Sequence, residues 1–174
     1  WSLDGARLLL NGDGLLFGLD LGSGRLGQIE IDDLPPINND HVLDPDGERI
    51  WMSAGDGRIH RATLAGGRAE QITEDDGCWH FLHGISPDGR QLAYIEIDAA
   101  FTRPGAVVVL DLASGERLRP DPLGAHWDGA EFGPDGQWLY ANSEAFTEAP
   151  GHAQLVRMRP DGADLERLVT SDTV

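Results

Sequence analysis

The sequence predicts an all-β fold of repeated four-stranded antiparallel sheets, and three observations predict it. A tight turn recurs at near-constant spacing: Ser2-Leu3-Asp4-Gly5, Asp44-Pro45-Asp46-Gly47, Ser86-Pro87-Asp88-Gly89 and Gly133-Pro134-Asp135-Gly136, separated by 42, 42 and 47 residues. A second, glycine-containing turn follows each of them. No stretch of helical length keeps a 3.6-residue apolar period.

Each element has a local cause. In Ser86-Pro87-Asp88-Gly89, proline presets φ at the first central position, aspartate tolerates the bridge region and glycine accepts the exit conformation. The following RQLAYIEI alternates and is rich in β-favouring residues, as a strand facing a core should be, and FLHGI before it is its short apolar hairpin partner. The second hairpin follows in LLFGLDLGSGRLGQIEI, RIHRATLAGGRAEQIT, AVVVLDLASGERLRP and QLVRMRPDGADLERLVT. There a strand runs into a turn at Gly22/Gly24, Gly66/Gly67, Gly115 or Gly162, and a more polar strand runs out. Four strands in a unit of this length match one blade of a β-propeller. The blades fall at approximately 1–36, 37–79, 80–126 and 127–174, the first lacking its innermost strand. Trp1, Leu43, Ile85 and Phe132 share a column predicted to pack between blades. Trp51 and Trp138, just after turns, are core candidates.

Composition narrows the function. Thirty acidic residues face 13 basic ones, all arginine, for a net charge of −17 over 174 residues. Such a chain repels phosphate backbones and anionic lipid, so neither nucleic acid nor membrane insertion is expected. No apolar run approaches a membrane span. The chain opens at Trp1 inside a turn motif and so reads as part of a larger protein, and its compartment, cytoplasmic or periplasmic, is left open. Cys78 is the single cysteine, read as a buried or incidental thiol.

Strand alternation puts all the tight turns on one face and the longer loops on the other. The second face carries the unusual residues: the interblade links DLPPINNDH (33–41), TEDDGCWHFLH (73–83) and DPLGAHWDG (121–129), and the middle loops AAFTRPGA (99–106) and EAFTEAPGHA (144–153). Asn39, Asp40, His41, Trp79, His80, His83, His126, Trp127 and Asp128, with Asn38, form the candidate ligand-binding set. His41 and His83 occupy equivalent positions, each four residues before a turn proline. They either bridge neighbouring blades by hydrogen bonds or, with His126 and Asp40 or Asp128, hold a divalent metal. Trp79 and Trp127 either stack a sugar ring or peptide side chain or pack in the core. Phe101 and Phe146 match between the middle loops, and each either folds back onto its blade or meets a ligand.

The SPDGRQLAY hairpin, with AEQIT closing the preceding unit, resembles the TolB-like β-propeller repeat over essentially the whole chain. NNDH before one repeat and a Trp-His pair before the next resemble stand-alone members of that group. The resemblance implies a six-bladed ring of which this chain supplies four blades, an open arrangement that invites self-association. It implies a non-enzymatic module that binds a protein or small ligand, a saccharide among them, at the histidine-bearing face, with no cofactor. Oligogalacturonate lyases resemble the same repeat. They imply the alternative, a metal-assisted carbohydrate-active enzyme at the channel mouth.

Overall fold

A computed structural model describes residues 1–120, 123–147 and 151–168. The first two residues of the 121–129 link, residues 148–150 of the 144–153 loop and the end of the fourth predicted blade lie outside the described residues. Every regular element among the described residues is a β-strand. The chain divides into two compact units, residues 1–76 with 80–82, and residues 77–79 with 83–174.

In the first unit, β1 (Arg7–Gly12), β2 (Leu15–Asp20) and β3 (Leu26–Gln28) form a three-stranded antiparallel sheet. After β4 (Ile31–Asp32) comes a four-stranded sheet in the order β5 (Ile37–Leu43), β6 (Arg49–Ala54), β7 (Ile59–Thr63), β9 (Glu70–Gln71). Period-2 alternation decides which side chains go inside. Leu9 and Leu16 leave the first sheet toward Ile37, Ile50 and Met52 of the second, and these residues form the core of the unit.

In the second unit, β10 (Cys78–Ile85) leads the sheet β10-β11-β12-β13, with β11 (Gln91–Asp98), β12 (Ala106–Asp111) and β13 (Arg117–Leu118). The last sheet is β14 (Trp127–Phe132), β15 (Leu139–Ser143), β16 (Gln154–Met158) and β17 (Glu166–Arg167). β14 lies against β11 and β12. Leu92, Ala93, Tyr94 and Ile95 are all at most 1% exposed, so β11 is buried on both faces. The alternation of its sequence had predicted one buried face. Sheet-on-sheet cover removes the need for a polar face.

The four turns share one geometry. The N–H of Gly5, Gly47, Gly89 and Gly136 donates to the carbonyl of the first turn residue at 2.8–2.9 Å. Those glycines have φ of 67°, 73°, 71° and 68°, a left-handed conformation that only glycine adopts without strain.

Two expectations need correction. Trp1 is 70% exposed and does not pack between sheets: it lies outside β1, whose first residue is Arg7. Trp138 is not core: the guanidinium carbons of Arg157 and Arg159 lie 4.1 and 4.0 Å from its ring centroid, and this clamp holds it half-buried. Outside the antiparallel sheets one short pairing is parallel. β8 (Gly67–Arg68) runs parallel to β4, because Gly66 and Gly67, at φ 90° and 99°, turn the chain aside to meet Glu30 and Asp32.

Tyr94 gives the fold a measurable alkaline limit. Burial pushes its hydroxyl up to about 12, against the downward pull of the nearby Arg117 guanidinium. The folded state therefore keeps the neutral phenol while the unfolded chain ionises it near pH 10.0. The stabilisation is intact below the unfolded value and is lost as pH rises toward about 12. The loss is about 2–3 kcal/mol. Urea unfolding at a series of pH values above 9 should show this decline in the wild type and a shallower one in Tyr94→Phe.

Candidate functional site

The loop after β11 is built around one carboxylate. Asp98 accepts from the N–H of Ala100 at 3.2 Å, of Thr102 at 3.1 Å and of Arg103 at 2.7 Å, and from the Thr102 hydroxyl at 3.0 Å. Burial raises its pKa, but these donors outweigh it and hold the carboxyl below the usual aspartate value. The loop is thereby fixed with Phe101 at φ 54°, a left-handed conformation rare for an aromatic residue. The ring stays 58% exposed. Its centroid lies 6.3 Å from that of Trp79 at an interplanar angle of 39°, so the two aromatics form a tilted ledge.

The same loop borders a cavity of about 290 Å³. Cys78, Glu96, Asp98, Arg103, Gly105 and Arg119 line it. Glu96 is the hub of its charges. Arg117 donates to one of its oxygens, and Arg119 reaches both carboxylate oxygens at 3.0 Å. Gly105 anchors the loop to the next link: its N–H donates to His126 Nδ1 at 2.8 Å, and its carbonyl accepts the Trp127 N–H at 3.0 Å. The Nδ1 of His126 is therefore unprotonated and already occupied as an acceptor.

The structure places the predicted site residues very unevenly. Trp79 and His126 stand at the loop cluster just described, and Asp128 is exposed on β14. His83 is half-buried on β10. Trp127 is fully buried, so of its two readings the structure has core packing. His80 is 1% exposed and turned inward. Its Nδ1 lies 2.9 Å from the Thr73 hydroxyl and its Nε2 3.2 Å from Asp76. Thr73 already accepts the Ile59 N–H at 2.9 Å, so its own hydroxyl proton points to Nδ1 and Nε2–H faces Asp76. Both ring nitrogens are used in a buried network.

In the first unit, the amides of Asn38 and Asn39 donate to Asp40 at 2.8 and 3.0 Å, where the β5–β6 register slips by a bulge. His41 Nε2 lies 3.3 Å from the Leu9 carbonyl. This is a hydrogen bond from the second sheet to the first, one of the two roles its repeat position suggested. The middle loops differ from each other: Phe146, 37% exposed, has the Arg167 guanidinium 5.9 Å from its centroid within its own sheet, whereas Phe101 stands out.

Within neither unit do His41, His83, His126, Asp40 and Asp128 bring three ligand atoms within 4.8 Å of one another among the described residues. Arg103, Asp98 and Gly105 escaped the sequence reading. The usable signal was an aspartate followed by a threonine and an arginine four and five residues later, ahead of Pro-Gly, the spacing of a carboxylate-capped loop.

Comparison with known proteins adds the fold family. A structure from Agrobacterium tumefaciens, provisionally assigned as TolB, is 32% identical, with a TM-score of 0.85 over 98% of this chain and 60% of that one. This chain has the TolB-like β-propeller fold. An uncharacterised protein of Agrobacterium fabrum, Atu1656, is 34% identical over 177 residues, 98% of this chain and 57% of the relative. An oligogalacturonate lyase in complex with manganese shares the fold at a TM-score of 0.72 and 16% identity, over 96% of this chain and 50% of the lyase. The TolB-like chain thus spans less than two thirds of the length of these proteins. No family model matches it. No helix among the described residues is long and apolar enough to cross a membrane.

Proposed function

We propose that this TolB-like chain is a binding module, and that the Trp79–Phe101 ledge contacts a protein partner. The observation that carries the reading is Phe101 itself. An aromatic ring is held 58% exposed, in a strained backbone conformation, by a carboxylate that gathers the loop's N–H groups. Such strain costs of order 1–3 kcal/mol and persists where the surroundings over-determine it, most often at binding sites. A half-buried tryptophan, an exposed phenylalanine and an arginine together make the composition of an interface hot spot. A protein partner also agrees with the TolB-like fold.

The enzyme alternative has less behind it. Likeness to the manganese-bound lyase is one of fold alone.

A random peptide library selected on the immobilised protein tests the reading. Peptides enriched on the wild type should bind Phe101→Ala roughly 30-fold more weakly, the loss expected of a hot-spot residue. They should bind Phe146→Ala unchanged. Equal affinity for wild type and Phe101→Ala would remove the ledge from the function. Stoichiometric manganese, retained through purification and lost in His126→Ala, would favour the enzyme instead.

A further inference from the structure

The Arg103 guanidinium is the unfilled part of this site. Asp98 is already satisfied by the loop it caps, and Glu96 by Arg117 and Arg119. The Arg103 guanidinium comes no nearer to Asp98 than 3.6 Å, at Nε, and its side chain is 72% exposed at the cavity mouth. Its two terminal nitrogens have no partner among the described residues. The donor fork left without a hydrogen bond is the one whose shape matches a carboxylate bidentately.

We propose that the cavity beside Arg103 binds a single carboxylate group of a peptide ligand, with the Arg103 fork as the recognition element. The inference rests on the binding-module reading and names the chemistry of what that module takes. At about 290 Å³ the cavity has room for an acidic side chain or chain end, and it lies at the lower edge of the range of about 300 to 1,000 Å³ for drug-sized ligands. The apolar part of the same peptide would lie on Trp79 and Phe101.

Titrations followed by backbone amide shifts of the ¹⁵N-labelled protein test this directly. The probes are N-acetyl-glutamate α-amide, which offers a side-chain carboxylate, and N-acetyl-alanine, which offers a terminal one. N-acetyl-glutamine α-amide and inorganic phosphate are the controls. At least one carboxylate probe should give saturable shifts at residues 98–106, and the tighter of the two names the source. Arg103→Gln, at an exposed position that leaves the fold intact, should weaken the titration roughly tenfold. Ala106→Leu, which fills the cavity and keeps the arginine, should weaken it likewise. Equal shifts with glutamine amide or phosphate would overturn the inference, as would an Arg103→Gln variant that titrates like the wild type. Failure here is separable from failure of the module itself: library peptides that still depend on Phe101 while both carboxylate probes fail would remove only the carboxylate.

Discussion

Trp127→Ala should lower the free energy of unfolding by about 3–5 kcal/mol, the cost of truncating a buried tryptophan. The residue is 0% exposed, opens β14 and donates its N–H to the Gly105 carbonyl at 3.0 Å. β14 in turn lies against β11 and β12, so the void would open inside the unit, where neighbouring strands cannot collapse without breaking their ladders. A domain of ordinary stability has about 5–15 kcal/mol in all, so the variant should sit near its unfolding limit at room temperature. Urea denaturation followed by circular dichroism measures this, and Trp127→Phe should lose distinctly less. Phe101→Ala, from the exposed ledge, should stay within about 0.5 kcal/mol of the wild type. A wild-type midpoint for Trp127→Ala would mean that the ring is not core.

Gly105→Ala is the second large effect, and its cause is space rather than backbone freedom. Gly105 does not have a positive φ, but a Cβ there would stand 2.7 Å from the Trp127 carbonyl oxygen, 2.9 Å from Ile95 Cγ2 and 3.3 Å from His126 Cε1. Two of those neighbours belong to the adjoining link and one to β11, so relief requires the loop to move away from its anchor. Overpacking of this kind costs about 1–3 kcal/mol. Gly27→Ala is the matched control, since nothing lies within 4 Å of its added carbon and its φ is also not positive. It should be neutral or slightly stabilising. Thermal unfolding of the pair compares them. Amide shifts in residues 98–106 of Gly105→Ala should report the displaced loop, and peptide binding through Phe101 should weaken with it.

The repeat was readable because it is local chemistry. Asp-Gly at a near-constant period, after proline in three of the four copies, sets the same turn each time, and all four turns close with the same glycine hydrogen bond. Alternation then located the strands, although it read β11 as buried on one face when Leu92, Ala93, Tyr94 and Ile95 are inside together. The site was readable by region and not by residue. The link around Trp79, the 99–106 loop and the link around His126 do meet, as the alternation argument required. Which side chains face out was another matter. His80 and Trp127 carry the residue types of a binding site, yet one turns inward to Thr73 and Asp76 and the other into the core. Arg103 was marked only by the Asp98-Thr102-Arg103 spacing of its loop, which does not say that its guanidinium is left over. Its availability depends on Asp98 being satisfied by its own loop and on Glu96 being satisfied from β13 and the segment after it.

By itself, then, the sequence determined how often the chain turns and where its strands run, since turn chemistry and two-residue alternation act between neighbours in the chain. Only the tertiary structure decided which aromatic stays in water and which arginine keeps a donor fork to spare. Both outcomes are sums over contacts between segments far apart in sequence, and burial and charge pairing exist only once those segments have met.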